Sequence, residues 1–412
     1  MRFLYIFFLV LGFSPIVRAG LLPVEDFARL ERYTGMTISP DGRTVAYIEN
    51  HDEQLRLYFL DLDSGKRVGA GLPDSHMAWV PQNVRIGWVN SHRLVFGLTD
   101  GGFAAIEKDG TQVLGLTGRM GAIDRGDRES VSSDGVLYFF RDEADGELLM
   151  TEYDTNYARY QGEWYIRTHP HVMKINSRTG AKVRVLTNEG NIEYWLSDSQ
   201  GVVRVALESK RGIARTIYRE NATAKWEPLP GMNWEDTVIR PLGISADGRT
   251  LYVNRKTPAG MWAVYPYDLV QKKFGEVIID HEGYDIIPNV WRSSVNGLPL
   301  QTLVFSAGAK AELLGARFVT DFPRVAWFHP ELVRTQEALD KALSGRVNSI
   351  VSMSDDIDRM IVLSWAANDP GAYYLFDAKA QTLAPLFPRM PWIDAARMAE
   401  TSAISFLARD GL

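Results

Sequence analysis

The sequence predicts an all-β fold: a β-propeller of about seven blades, with one helix inserted in a late blade. Three observations carry that reading. A turn of the form Ser-x-Asp-Gly, followed by a run of β-forming residues, recurs along the 412-residue chain. The copies are spaced by tens of residues, as in radially repeated sheets. Between them the chain shows strand and turn signals, interrupted by one long stretch of helical periodicity.

The organising stretch is Ile38 to Gly65. In Ser39-Pro40-Asp41-Gly42, Pro presets φ and Gly supplies the positive φ that other residues resist. Thr44 to Ile48 then reads as one strand and Leu55 to Leu62 as another, before Asp63-Ser64-Gly65 turns again. The pattern returns at Ser133-Asp134-Gly135 before Val136 to Phe139, and at Ser245-Ala246-Asp247-Gly248 before Arg249 to Val253. It returns again at Ser354-Asp355-Asp356 before Met360 to Leu363, with weaker copies at Asn90-Ser91-His92 and Ser197 to Gly201.

Taken in order, a short helical pattern at Leu22 to Leu30 precedes the first unit. The second unit runs from Val84 to Thr117, with strands near Arg85–Val89, Arg93–Leu98, Ala104–Glu107 and Val113–Leu116. The third, Ser130 to Thr187, carries the aromatic-rich insert Tyr153 to Tyr165. The fourth covers Asn191 to Leu229, the fifth Leu242 to Ile278 and the sixth Asp285 to Val333. Pro330 to Leu343 places Leu332, Gln336, Leu339 and Leu343 at helical intervals, with Pro330 suited to a helix start and Gly345 to a stop. The seventh unit runs from Val347 to Phe387, and Ile404 to Leu412 reads as the opening of a further strand.

Composition bounds the partners. The net charge of −6, with no run of Lys and Arg, argues against nucleic acid or an anionic membrane surface. Arg2, the apolar run Phe3 to Phe13 and the small-residue site Val17-Arg18-Ala19 read as a signal peptide over 1–19, and so as export to the periplasm or outside the cell. That run is too short to span a bilayer. The absence of Cys removes disulfides, thiol nucleophiles and cysteine metal sites.

His169-Pro170-His171 has the spacing of two metal ligands, yet no third ligand lies near, so a strand-edge pair is the better reading. Asp355, Asp356 and Asp358 have the density of a calcium loop, but Met360 and Ala366 stand where that loop needs Gly and Glu. Glu25, Asp26 and Glu282 form no acid–base pair legible in sequence, and His281-Glu282-Gly283 is only a fragment of a zinc motif. Gly69 to Asp74 lacks the glycines and following helix of a dinucleotide loop. Asn221-Ala222-Thr223 is a formal glycosylation acceptor. Tyr157, Tyr160, Trp164, Tyr165, Trp195, Trp226 and Trp234 suit packing between blades. No catalytic, cofactor-binding or metal residue is therefore assigned.

Several stretches resemble the N-terminal propeller of the prolyl oligopeptidase family of serine peptidases, nearest its secreted bacterial acylaminoacyl-peptidase-like members. They are LPVEDFARL (Leu22–Leu30), ISPDGRTVAYI (Ile38–Ile48), WVNSHRLVF (Trp88–Phe96) and the run from His329 to Asp356. DPGAYYLFD (Asp369–Asp377) and PWIDAARMAETSAISFLARDGL (Pro391–Leu412) complete the set. The resemblance implies a division into residues 20–37 as an N-terminal segment, 38–388 as the propeller, and 389–412 as a linker and first strand leading to an α/β-hydrolase domain. In that family the propeller restricts entry to short peptides, and the hydrolase domain holds the serine, acid and histidine. Residues 1–412 contain no G-x-S-x-G elbow: Val304 to Gly308 lacks the first Gly, and Gly243 to Asp247 has Asp for the last. The expectation is a peptidase propeller without its catalytic half, inactive alone and prone to associate through the uncovered face. The alternatives are a stand-alone propeller that binds peptide or protein, and an enzyme with its own site in the channel.

Overall fold

The computed structural model describes residues 22–412 apart from 53, 71–85, 99–101, 119–135, 142–143, 145, 154–156, 161–162, 167–169, 211–212, 235–238, 287–301, 308–309, 403, 405, 407–408 and 410–412. It is a seven-bladed propeller of antiparallel sheets, each made from one continuous segment of chain. Blade 1 is β1 (Tyr33–Ile38), β2 (Thr44–His51), β3 (Gln54–Asp61) and β4 (Arg67–Gly69). Blade 2 is β5 (Ile86–Trp88), β6 (Arg93–Gly97), β7 (Phe103–Glu107) and β8 (Leu114–Gly115). Blade 3 is β9 (Val136–Phe139), β10 (Glu147–Tyr153), β13 (Pro170–Asn176) and β14 (Lys182–Leu186). The aromatic insert between β10 and β13 forms a separate hairpin, β11 (Tyr157–Tyr160) and β12 (Glu163–Ile166). Blade 4 is β15 (Ile192–Ser197), β16 (Val203–Lys210), β17 (Ile213–Tyr218) and β18 (Glu227–Trp234). Blade 5 is β19 (Arg240–Ile244), β20 (Thr250–Lys256), β21 (Trp262–Asp268) and β22 (Lys273–Phe274). Blade 6 is β23 (Leu303–Phe305), β24 (Leu313–Val319) and β25 (Pro323–Trp327). Blade 7 is β26 (Val347–Met353), β27 (Arg359–Ala366), β28 (Asp369–Asp377) and β29 (Thr382–Pro388).

Why the middle strands are apolar almost residue by residue follows from where they sit. A blade is covered on both faces, so successive side chains, which alternate sides, enter two different interfaces. Ala46 and Ile48 of β2 pack against blade 2, whereas Val45 and Tyr47 pack against blade 7. Leu148 and Met150 of β10 turn towards blade 2 and Leu149 towards blade 4. Met360 and Val362 of β27 meet blade 6, and Ile361 and Leu363 meet blade 1. The core is accordingly divided into clusters, one at each junction between neighbouring blades.

Blade 6 has three strands among the described residues, and its outer position in the chain is taken by a helix, α2 (Pro330–Ala342). The short α1 (Val24–Ala28) precedes blade 1. The stripe of α2 expected from sequence is real: Leu332 and Leu339 are buried against Val304, Leu314, Trp327 and Ile350. Gln336, on the same stripe, clamps the helix instead of entering the core. Its Oε1 accepts from Trp327 Nε1 at 3.2 Å, and its Nε2 donates to the Asn348 carbonyl at 2.9 Å. Pro330 occupies the first turn, and Gly345 follows the helix with φ +73°.

Blades 1 and 7 close the ring without sharing a strand, so side chains hold the seam. Tyr33 stacks on Phe387 at 4.5 Å, Tyr47 lies 4.7 Å from Phe387, and Tyr47 stacks on Tyr58 at 5.8 Å. Arg67 covers the outer ring at 3.8 Å and pairs with Glu49, a carboxylate that also faces Arg32 and His51. Burial pushes the Tyr47 hydroxyl up to about 12, so it stays neutral at ordinary pH. Polar contacts cross the seam as well. The Ile38 amide donates to Ser352 Oγ at 3.0 Å, and the Arg32 amide to the Arg389 carbonyl at 2.8 Å.

One boundary read from the sequence is corrected. The first strand begins at Tyr33, so blade 1 takes in the end of the stretch read as an N-terminal segment. The strand expected over Ile404 to Leu412 lies largely outside the described residues; of those described, Ile404 and Phe406 are 81% and 82% exposed.

Truncating a two-sided strand should cost far more than truncating an outer edge. Leu148→Ala is expected to lower the unfolding free energy by about 2–5 kcal/mol in urea titration. Val183→Ala, on exposed β14, is expected to change it by less than about 0.5 kcal/mol.

Candidate functional site

A propeller presents two ends. At one, the turns joining the innermost strand to the second gather around the channel; here this is called the turn face. The blade-to-blade connections lie at the other, the connection face.

On the turn face, three Ser-x-Asp-x turns share one hydrogen-bond set. Ser39 Oγ donates to Asp41 and accepts from the Thr44 amide at 2.9 Å, while the Arg43 amide donates to Asp41 at 3.1 Å. Ser245, Asp247, Thr250 and Arg249 repeat this arrangement, as do Ser354, Asp356, Arg359 and Asp358. Gly42 and Gly248 supply the left-handed residue at φ +70° and +67°. In the third copy Ile357 adopts φ +56°, a strained conformation for a β-branched residue, and its side chain packs on the cluster between blades 6 and 7. These serines face carboxylates and backbone amides rather than a histidine, so they lock turns and activate no nucleophile.

Two open clefts lie among these turns. One, of about 590 Å³ between blades 5 and 6, is lined by Asp247, Thr250, Tyr252, Lys310 and Glu312. The other, of about 380 Å³ at the seam, is lined by Asp41, Asp63, Asp356, Arg359, Asp377 and Lys379. Its charges are paired internally: Arg359 with Asp63 and Asp377, and Lys379 with Asp358. At the channel mouth Arg141, in the turn after β9, donates from Nη1 to the Trp88 carbonyl at 2.9 Å. Its Nη2 stands 3.8 Å from Asp355 Oδ1.

The connection face carries the segments flanking the ring. Trp392 Nε1 donates to the Asp26 carbonyl at 2.9 Å, Arg29 lies 5.0 Å over the Trp392 ring, and Arg389 pairs with Glu31. Around this junction Val24, Phe27 and Leu30 are 73%, 51% and 39% exposed, an apolar stripe left open to solvent.

The remaining sequence candidates stay apart. His171 is buried in β13, and its Nδ1 accepts the Asn188 amide at 2.9 Å, a structural bond on the strand flank; His169 lies outside the described residues. Asp356 and Asp358 belong to the seam turn, while Glu25 and Asp26 lie in α1. His281 binds the Gly283 amide and rests edge-on against Tyr284. Asn221 uses its side-chain oxygen to hold the amides of Thr223 and Ala224 in a turn. Trp195 and Trp226 meet at 5.9 Å between blades 3 and 4, as expected for packing aromatics. The side chains of Tyr157, Tyr160, Trp164, Tyr165 and Trp234 lie outside the described residues. Among the described residues no group of three His, Asp or Glu is placed to hold a metal ion, and no helix is long and apolar enough to cross a membrane.

Sequence reasoning did not find the ion pairs that join separate blades. Arg93, fully buried, donates to the Ser177 carbonyl and to Glu107, and Arg178 reaches the same carboxylate at 2.7 Å. Burial pushes Arg93 down, against the pull of Glu107. The only signal available was a charged residue opening a strand run, which is common at exposed ends.

The turns generate two expectations. Ser245→Ala removes a donor and an acceptor at once and should cost about 0.5–2 kcal/mol of stability, by analogy with lost helix caps, read by thermal unfolding. The Ser245 hydroxyl and the Arg249 amide hold Asp247 below the usual carboxylate range. Asp61 and Asp109 are held down in the same way, first by Ser64 and by Thr111. A depressed native value adds stability above the unfolded carboxylate range and loses it as pH falls through the folded range. The thermal midpoint should therefore hold from pH 7 to about 5 and fall steadily below that; a midpoint that rose on acidification would contradict the assignment.

No family model matches the chain. It is 23% identical to dipeptidyl aminopeptidase BIII of Pseudoxanthomonas mexicana over 240 residues, 58% of this chain and 32% of that protein. The chain thus spans about a third of that relative's length. A puromycin-hydrolyzing peptidase of Mycobacterium tuberculosis superposes with a TM-score of 0.55 at 13% identity, covering 93% of this chain and 56% of that one. A puromycin hydrolase gives 0.55 at 12% identity, over 96% of this chain and 60% of that one. The chain is a seven-bladed β-propeller homologous to part of a dipeptidyl aminopeptidase, and it fits the N-terminal propeller expected from its resemblance to the prolyl oligopeptidase family.

Proposed function

We propose that this propeller is the substrate-gating part of an exported serine peptidase of the prolyl oligopeptidase kind, acting on short peptides, with the catalytic groups supplied by an α/β-hydrolase domain that residues 1–412 do not contain. The observation that carries the reading is the 240-residue match to a dipeptidyl aminopeptidase. The site chemistry agrees with it. The recurring serines are consumed by their own turns, and no described acid, base or metal set rises to a catalytic constellation. The open stripe Val24, Phe27 and Leu30 beside Trp392 favours the connection face as the surface on which a hydrolase domain rests. Export rests on the signal-like segment 1–19, which lies outside the described residues.

A second reading, a propeller that binds peptide or protein on its own account, draws on the same exposed stripe. The two differ in what completes the surface: a catalytic domain or an independent partner.

The full chain is expected to leave aminoacyl chromogenic peptides uncleaved and to take no label from a fluorophosphonate. Hydrolysis that a serine-directed reagent abolished would overturn the proposal. Light scattering is expected to show association through the open stripe, reversed by Phe27→Ser; a monomer that bound no hydrophobic dye would count against an uncovered docking face.

A further inference from the structure

We propose that the cleft between blades 5 and 6 is a subsite for a basic side chain of a peptide at the turn face, its cationic head held between Asp247 and Glu312. This deepens the peptide-gating reading and rests on it. The cleft has about 590 Å³, within the range of ligand pockets and ample for one long side chain. Its position suits entry at the channel mouth. One wall is the β19–β20 turn, carrying Asp247 and Thr250; the other is the segment that leads into β24 from β23, carrying Lys310 and Glu312. Each of these connections joins an innermost strand to the second strand of its blade.

Both walls are fixed by their own hydrogen bonds, which leave charge to spare. Asp247 accepts from Ser245 Oγ and from the Arg249 amide through the same oxygen, Oδ1, so Oδ2 faces a ligand without disturbing the turn. On the other wall the Ser306 amide donates to the Glu312 carbonyl and the Glu312 amide to Ser306 Oγ, each at 2.9 Å. These bonds hold the Glu312 backbone and not its carboxylate. Ala311, beside it, keeps φ +33°, a left-handed conformation that a non-glycine residue adopts at a cost. Tyr252, tilted against Phe305 at 5.9 Å, and Leu313 add apolar surface for an aliphatic stem, and an aromatic ring favours a cation nearby. The seam cleft differs: there Arg359 and Lys379 already neutralise the aspartates. Among the described residues Asp247, Lys310 and Glu312 form no ion pair; Arg249 acts on Asp247 from the same turn without such a contact and is shared with Asp268. Two carboxylates against one ammonium leave the lining net negative, and a basic side chain complements it.

The test is calorimetric titration of the full chain with N-acetyl-arginine amide and N-acetyl-citrulline amide, which differ in charge but hardly in shape and carry no charged ends. The arginine compound should bind about tenfold more tightly. Glu312→Gln should remove most of that preference, and adding Asp247→Asn, which keeps the Oδ1 acceptor, should remove the rest. Lys310→Met, which deletes the competing cation, should tighten arginine binding about threefold. Asp63→Asn, in the seam cleft, should leave it unchanged. If the Asp247 variant fails to fold by circular dichroism, Glu312→Gln alone decides, since that side chain holds no described bond. Equal affinity for the two compounds, an arginine preference that survives loss of Glu312, or an equal loss with Asp63→Asn overturns the subsite. Absence of binding by either compound overturns it too. No cleavage is read, so each of these results is independent of the hydrolysis and labelling tests that decide the peptidase reading.

Discussion

Everything in this molecule depends on the second and third strands of each blade being buried on both faces. An antiparallel sheet usually shows one face to water and so alternates apolar with polar. Here alternation distributes residues between two neighbours instead: Val45 goes one way and Ala46 the other, as do Ile361 and Val362. Each fully buried aliphatic side chain contributes about 1.5–3 kcal/mol. No blade can secure that alone, which makes the ring, rather than the sheet, the stable unit. The seam between blades 7 and 1 is then the same kind of interface as the others, reinforced by the stack of Tyr33, Phe387, Tyr47, Tyr58 and Arg67.

The polar chemistry falls into place around that constraint. The Ser-Asp turns satisfy the backbone where strands reverse at the channel end, and contacts such as Arg178 with Glu107 and Arg93 with the Ser177 carbonyl tie one blade to the next. Every one of these groups is occupied by structure. Among the described residues, the apolar stripe on the connection face and the clefts among the turns stay open.

Much of this was legible in the sequence, for identifiable reasons. Pro and Gly at fixed offsets marked the turns, and the run Met360 to Leu363 reported two-sided burial directly. The α2 stripe was readable because Leu332 and Leu339 keep helical spacing over an uninterrupted segment. β1 was harder to see, since Tyr33 to Ile38 contains Gly35 and shows a half-buried pattern. The third turn hid its left-handed residue behind Ile357, where the eye expects Gly. The meeting of Arg141 with Asp355 could not be read at all, because ring closure brings together residues that no local pattern relates.

The central claim is that side-chain packing and polar contacts, with no shared strand, close the ring as firmly as any other two blades are joined. Native-state hydrogen exchange, resolved by strand, tests this most directly. The account predicts that amides of β1 and β26 are protected to the same degree as those of β15 and β19, which occupy the same position in other blades. Fast exchange confined to blades 1 and 7, with the other blades protected, would contradict it.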